Sequence, residues 1–242
     1  MTSSVVTGLM LALAGALAGR DARHDVRHPC APAADPRCAC NDNPPFVLFD
    51  TPQPSATLIP ELAKKLNDPS DSVRLFAARQ LGRFRDASRV MPLVGALKDS
   101  SCVVAAAAAW SLRGSGDPRA AEPLREAMAH GGCLLRARAA EALDGFPGPA
   151  SVDVAVRGLR DPFPQVRAPA ARALGKLGDR RAVPPLIRAL ADKNKHVRQG
   201  AAEALGRLGD SRALPALTRA LQDPEKHVRE AAAEAIGRLG SK

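Results

Sequence analysis

One 31-residue unit is repeated six times over residues 57–242, and this period restricts the possible folds more than any other feature of the chain. Each unit carries an alanine pair in the same register, with a leucine or isoleucine three residues after it. The last two units, 181–211 and 212–242, are identical at 20 of 31 positions, which indicates tandem duplication. A period in this range is typical of a solenoid. The pairs are Ala77-Ala78, Ala108-Ala109, Ala139-Ala140, Ala170-Ala171, Ala201-Ala202 and Ala232-Ala233.

Each unit contains the apolar spacing of two helices separated by a polar break. In the fifth unit Leu186 and Leu190 share one helix face, and Val197, Ala201 and Leu205 share another. One such hairpin has too little apolar surface to be stable alone, so the hairpins must stack. The sequence therefore predicts an all-α fold, an α-solenoid of six helical hairpins. The predicted repeats are 57–87, 88–118, 119–149, 150–180, 181–211 and 212–242.

The fifth repeat carries a recognisable motif. Asp192 is followed by His196-Val197-Arg198 and then by the stretch AAEALGRLGD from Ala201 to Asp210. This pattern resembles the short bacterial HEAT-like repeat of the phycobilisome-lyase type, and the resemblance covers residues 57–242. It implies the fold but not one function, because the resemblance extends to chromophore lyases, a diiron hydroxylase, DNA glycosylases and adaptor scaffolds.

The segment that precedes the repeats, residues 1–56, has a different composition. An uncharged run from Val5 to Gly19 is too short to span a membrane and ends near Ala16-Leu17-Ala18, so we predict a signal peptide over residues 1–19 and an exported protein. No lysine or arginine precedes the run, which leaves a misassigned start or an alanine-rich leader as the alternative. Residues 20–56 are rich in proline and aspartate, as in a linker. No transmembrane segment is expected in the mature chain.

Charge is concentrated in the repeats. They hold 31 lysines and arginines against 20 aspartates and glutamates, a net charge of +11, whereas residues 1–56 carry −1. Nucleic acid, anionic lipid and acidic protein are all possible partners of such a basic array. With no tyrosine, one tryptophan and six phenylalanines, the chain has little of the aromatic interleaving that stacking on bases uses. We therefore expect an acidic protein or peptide as the partner.

An aspartate in the polar break and an arginine six residues later recur in most repeats. Five arginines in register could bind phosphates, but a ladder of ion pairs between repeats explains them better, since charges recur at half-buried positions where they are paired. Repeat two has Ala105 for the arginine and repeat three has His130 for the aspartate. We therefore predict that the aspartate of one repeat pairs with the arginine of the next, which makes Asp99 and Arg136 partners. The ladder residues are Asp68, Arg74, Asp99, Arg136, Asp161, Arg167, Asp192, Arg198, Asp223 and Arg229.

The cysteines suggest two further possibilities. Cys102 and Cys133 are separated by one full repeat and so occupy equivalent positions in neighbouring units, where a disulfide bond is possible. The linker contains Cys30, Cys38 and Cys40, which could form disulfides, bind a metal or remain thiols. Their spacing lacks the paired arrangement of a zinc site, so we expect no metal and no cofactor.

The solvent side of the second helices provides the candidate binding residues. Repeats one and four place like charges four residues apart there, and Trp110, the only tryptophan, lies between them. Exposed tryptophan beside arginine is typical of a binding hot spot; the alternative is that Trp110 packs at the junction with repeat three. The predicted partner-binding residues are Leu75, Arg79, Arg83, Trp110, Arg113, Arg172 and Lys176.

No set of side chains in the sequence has the spacing of a catalytic site. The resemblance to the diiron hydroxylase would require His-Glu dyads, and the chain contains none. We therefore predict a non-enzymatic scaffold that binds an acidic protein or peptide in its concave groove. The alternative is an enzyme or lyase subunit of the HEAT-like family that acts with a partner chain. The sequence does not indicate an oligomeric state.

Overall fold

The computed structural model describes residues 55–240, which form twelve α-helices and no strands. No helix within this range is both long and apolar enough to cross a membrane. The predicted signal peptide, residues 20–54 of the linker and Cys30, Cys38 and Cys40 lie outside the described residues. The helices are α1 Ile59–Lys65, α2 Asp71–Leu81, α3 Val90–Ala96, α4 Cys102–Leu112, α5 Ala121–His130, α6 Cys133–Ala142, α7 Pro149–Gly158, α8 Pro164–Leu177, α9 Val183–Ala189, α10 Lys195–Leu208, α11 Leu214–Ala220 and α12 Lys226–Gly240.

Short polar segments begin and end the helical pairs. Gly178 and Gly209 follow α8 and α10 with φ angles of 75° and 66°, a left-handed conformation that glycine adopts without strain. The next residue, Asp179 or Asp210, accepts a hydrogen bond from the backbone N–H two residues later. This bond starts the single 3-10 turn that leads into the following helix.

The even-numbered helices form one closely packed layer. Each contacts the next even-numbered helix, whereas among the odd-numbered helices only α5 and α7 pack extensively on each other. The closest approaches occur where a β-carbon on Gly175 or Gly206 would lie only 2.6 or 2.8 Å from the Cα of Ala204 or Ala235. Because the inner layer of a curved solenoid is the more compact one, the even-numbered helices line the concave groove.

Arginine–aspartate ion pairs connect the repeats along one edge. Arg198 donates from Nε and Nη2 to the carboxylate of Asp223 at 2.7 and 2.9 Å, and from Nη1 to the backbone carbonyl of Asp192 in its own repeat. Both charged groups are mostly buried, with side-chain exposures of 12% and 9%. This bidentate geometry is the strongest form of the pair. The same pairs join Arg74 to Asp99, Arg136 to Asp161 and Arg167 to Asp192.

The direction of the ladder is opposite to the sequence prediction. Asp99 pairs with Arg74 and Arg136 pairs with Asp161, so the predicted contact between Asp99 and Arg136 is wrong. The arginine points forward to the next repeat because its Nη1 is held by backbone carbonyls of its own turn. Asp68 has no preceding described repeat and instead accepts from the N–H of Ser70. Arg229 has no following repeat in the described range and donates to the carbonyls of Asp223 and Pro224.

The second helix of repeat four is continuous although it contains two prolines, which disfavour helices. Helix α8 runs through 14 residues although it contains Pro164 and Pro169. Pro164 is at the first helical position, where its missing N–H would have no partner in any case. Pro169 removes one interior hydrogen bond, but Ala170 and Ala171 behind it are fully buried, so packing holds the helix together.

Hydrogen exchange should be faster around residues 144–169 than in α10 and α12. The hydrophobic core divides into two clusters in this region, one that extends to Val154 and Ala170 and one that begins at Val152. Fewer shared apolar contacts lower the free energy of local opening. Exchange measured by mass spectrometry would contradict this expectation if protection were uniform along the array.

The array should lose stability as the pH falls from about 4 to about 2. A side-chain hydrogen bond from Arg212 lowers the pKa of Asp210 to about 2, and Arg119 does the same for Asp117. The bond from Arg198 also lowers the pKa of Asp223. A carboxylate whose pKa is lower in the folded than in the unfolded protein stabilises the fold at pH values above its pKa in the unfolded chain, which is about 3.9. This stabilisation is lost as the pH falls and the carboxylates become protonated. Thermal melting followed by circular dichroism at pH 6 to 2 tests this; a constant Tm below pH 4 would contradict it.

Candidate groove site

Trp110 lies in the concave groove between two arginines. It is half-buried at the end of α4, and the guanidinium carbons of Arg113 and Arg138 lie 5.2 and 5.3 Å from its ring centroid. Arg138 is itself buried and pairs with Glu141 at 2.7 Å. Cation–π contacts at these distances are attractive. Trp110 therefore packs against repeat three while part of its surface stays accessible in the groove.

Asp144 binds two of the predicted site cations. Its carboxylate lies 2.5 Å from Nζ of Lys176 and 3.5 Å from Nη2 of Arg113. Each of these two cations therefore has a carboxylate partner. One carboxylate facing two cations nevertheless leaves an excess of one positive charge at this point.

The other predicted residues occupy the flanks of the same surface. Arg79 is exposed, and desolvation by neighbouring atoms lowers its pKa from the ordinary value. Arg83 is half-buried and donates to Oε1 of Gln80 at 3.0 Å. Arg172 is half-buried beside Gly200, and Leu75 packs partly onto the core. The seven predicted residues thus lie on the even-numbered helices or directly after them.

The excess positive charge of the groove is confined to its first four repeats. Repeats one to four contribute six cations and two carboxylates, an excess of four positive charges. Repeats five and six contribute two cations and three carboxylates, and the third carboxylate, Glu230, pairs with Lys226, which leaves no excess charge. The first set is Arg79, Arg83, Arg113, Arg138, Arg172 and Lys176 with Glu141 and Asp144, and the second is Arg207 and Arg238 with Glu203, Glu230 and Glu234.

Two shallow cavities lie outside the predicted site. One of about 220 Å³ opens between α10 and α12, where Arg238 pairs with Glu234 at 2.6 Å. The other, of about 230 Å³, lies between the loops that precede α3 and α5, beside the buried Arg89. Residues 55–240 contain no group of three or more metal-ligating side chains.

Sequence reasoning missed Arg138 and Asp144. Arg138 occupies a position that holds Phe76, Ala107, Pro169, Gly200 and Ala231 in the other repeats. Asp144 occupies a position that is glycine in four of the six repeats. Both residues depart from the repeat pattern, and such departures are the signal that could have identified them.

The helical pairs and their inter-repeat ladder define an α-solenoid, and comparison with known proteins agrees. The chain matches the family of HEAT repeats over residues 59–144, 128–199 and 152–237. It therefore belongs to the HEAT-repeat family. No match was found among curated proteins.

Similar solved structures include designed and natural repeat proteins. An engineered protein is 21% identical, with 76% of this chain and 96% of that chain covered and a TM-score of 0.58. A designed armadillo repeat protein in complex with the peptide (KR)4 is 18% identical over 75% of this chain and 99% of that chain, with a TM-score of 0.56. The CpcE and CpcF complex of phycocyanin lyase from Nostoc is 26% identical over 83% and 71% of the two chains, with a TM-score of 0.48.

Proposed function

We propose that this protein is a non-enzymatic scaffold whose groove binds an acidic segment of a partner protein along repeats one to four. The observation that carries this proposal is the tryptophan between two arginines, set in a stretch of groove with four excess positive charges. Tryptophan and arginine are the residues most often found at binding hot spots. The designed armadillo neighbour, which is in complex with a peptide, supports the choice of a peptide-like ligand.

The length of the basic stretch of groove limits the length of the peptide segment that it can bind. Neighbouring stacked helices are about 10 Å apart, so four repeats provide a groove of roughly 30 Å. An extended peptide advances about 3.3 Å per residue, and roughly nine residues therefore fill this length. The acidic residues of the partner would lie near Arg79, Arg83 and Arg172, with an apolar side chain against Trp110.

A labelled decaglutamate peptide tests the proposal by fluorescence anisotropy. We expect binding to the full-length protein that weakens with added salt, and none for the matched decaglutamine peptide. The variant Arg79→Glu/Arg83→Glu should weaken binding about tenfold or more. Arg157→Glu/Arg188→Glu changes the net charge equally at exposed positions on the odd-numbered helices and serves as the control. Equal losses in the two variants would show that only net charge matters and would contradict the groove assignment.

We also propose that the protein acts outside the cytoplasm. The apolar run from Val5 to Gly19 motivates this proposal. Cys102 and Cys133 are each disulfide-bonded, which supports it, because such bonds persist in oxidising compartments. Mass spectrometry of the mature protein should find a chain shortened near Gly19 in an exported fraction. A full-length chain retained in the cytoplasm would contradict the proposal.

A further inference from the structure

Three residues that depart from the repeat pattern line one cavity, the one of about 230 Å³ between the loops that precede α3 and α5. Arg89 holds a position that is leucine, alanine or serine in the other five repeats. Ser115 holds one that is phenylalanine or leucine in all five. Arg85 stands where four of the other repeats have glycine. Each departure adds a side-chain hydrogen-bond donor to the lining of the cavity.

The departures at Arg89 and Ser115 are opposite in size. In repeats five and six the small residue, Ala182 or Ala213, is fully buried, and the other position holds a leucine. Repeat two has the long side chain at Arg89 and the short one at Ser115. Because protein interiors are close-packed, loss of a leucine side chain leaves a space. Arg89 lines this space with only 5% of its surface exposed, so a polar cavity replaces apolar packing.

The guanidinium of Arg89 is only partly satisfied. Its Nη1 donates to the backbone carbonyl of Ser111, in the last turn of α4. Its Nε and Nη2 make no hydrogen bond to residues 55–240, and no carboxylate in that range forms an ion pair with it. Desolvation by burial lowers the pKa of Arg89 from its ordinary value, as expected for a buried cation without a counter-charge.

The ladder shows which chemical group this arrangement binds. In Arg198, Nη1 likewise donates to a backbone carbonyl, while Nε and Nη2 donate to the carboxylate of Asp223. The hydrogen bond to Asp223 raises the pKa of Arg198. The edge formed by Nε and Nη2 matches the two oxygens of a carboxylate. Arg89 is thus fixed by a carbonyl in the same way as the ladder arginines, and its Nε–Nη2 edge has the geometry for a carboxylate.

Two further donors and the size of the cavity favour a ligand there. The Oγ of Ser115 is buried and has no hydrogen-bond partner among the described residues. A hydroxyl in that state is costly unless water or a ligand accepts its hydrogen bond. Arg85 is exposed at the same cavity. About 10–15 Å³ is enough for one water molecule, so a cavity of about 230 Å³ has room for a small organic ligand.

The charges around the cavity favour a ligand with a single negative charge. Asp86 and Asp117 also contribute to the lining. Arg119 pairs with Asp117 at 2.6 Å, which leaves Arg85 and Arg89 against Asp86, an excess of one positive charge. A carboxylate balances this excess, whereas a dianion such as phosphate is repelled more strongly by the two aspartates.

We propose that this cavity binds a small monocarboxylic acid whose carboxylate accepts hydrogen bonds from Nε and Nη2 of Arg89. The hydroxyl of Ser115 is a further donor to the ligand, and the exposed Arg85 adds electrostatic attraction. The cavity lies on the loops outside the groove. This inference therefore goes beyond the proposed function and does not depend on it.

Acetate is the simplest probe of the cavity. The full-length protein, labelled with ¹⁵N, would be titrated at pH 7 and constant ionic strength. We expect saturable NMR shifts of the amides of Ser115 and Gly116, which line the cavity, and of the Nε–Hε group of Arg89. The expected Kd is about 10 mM, the strength of one bidentate charge-assisted pair. Acetamide, the neutral isostere, should cause no such shifts, and phosphate should bind at least about threefold more weakly.

Arg89→Ala/Ser115→Leu restores the residues of repeats five and six and separates binding from folding. Because leucine refills the space with apolar atoms, the Tm should equal or exceed that of the wild-type protein, while acetate affinity falls about tenfold or more. Arg89→Lys keeps the charge but loses the two-point geometry, so its affinity should fall about fivefold or more. Arg160→Ala removes an exposed positive charge elsewhere and should leave acetate affinity unchanged.

The titrations of the wild-type protein decide the question even if a variant does not fold. An Arg89 that only caps α4 and fills space would give no saturable shift with acetate, and that result overturns the proposal. It is equally overturned if acetamide or phosphate binds as well as acetate, or if the folded Arg89→Ala/Ser115→Leu variant keeps the wild-type affinity.

Discussion

Replacing Asp192 with alanine should lower the free energy of unfolding by about 2–4 kcal/mol, the largest stability effect expected of a single ladder residue. Arg167 would then lose two short hydrogen bonds, at 2.7 and 2.8 Å, while its side chain is only 15% exposed. A mostly buried guanidinium without a carboxylate partner is destabilised, because burial removes most of its hydration and no anion replaces it. Urea unfolding followed by circular dichroism measures the change.

Asp153→Ala is the matched control for this prediction. Asp153 also pairs with an arginine of the following repeat, Arg181, but at 3.4 Å and with both side chains more than half exposed. An exposed pair of this kind contributes little, so the change should stay within about 0.5 kcal/mol. Equal effects of the two substitutions would show that burial and bidentate geometry do not determine the strength of the ladder.

Replacing Trp110 with alanine should weaken binding of the acidic ligand by about 2 kcal/mol or more, the largest effect expected on binding. The substitution removes the ring that Arg113 and Arg138 stack on and that the ligand would contact. Arg79→Glu should add a loss that depends on salt, because it reverses an exposed charge. Anisotropy titrations with the decaglutamate peptide measure both effects.

Trp110→Phe separates the two roles that Trp110 can have. Phenylalanine keeps an aromatic face for the arginines, so it should retain most of the affinity. Thermal melting of the wild-type protein, the Trp110→Ala variant and the Trp110→Phe variant shows whether each keeps the fold. If Trp110→Ala lowers Tm and leaves peptide affinity unchanged, Trp110 is a packing residue at the junction with repeat three and the binding site lies elsewhere.

The repeat period was sufficient to predict the fold. A fixed register of alanine pairs determines which helix face is buried, and the structure confirms an all-helical HEAT-type solenoid. The continuity of α8 could not be predicted from local propensity, because packing of Ala170 and Ala171 outweighs the cost of Pro169. The sequence also indicated ion pairs between repeats. Their direction depends on side-chain geometry at the turn, which spacing alone does not contain.

The candidate site was only partly predictable. Spacing along one helix placed Arg79, Trp110 and Arg172 on the groove side. It could not show that Asp144 reaches Arg113 and Lys176, because these contacts connect different repeats. The position of Arg138 against Trp110 likewise depends on how repeat three stacks on repeat two.

Photo-crosslinking gives the most direct test that the groove along repeats one to four is the binding surface. A decaglutamate peptide with a central benzoylphenylalanine would be irradiated with the full-length protein, and the cross-linked residues identified by mass spectrometry. The account predicts cross-links to α2, α4, α6 and α8, centred on Trp110 and adjacent to Leu75 and Arg172. Cross-links confined to the odd-numbered helices, or to α10 and α12, would contradict it.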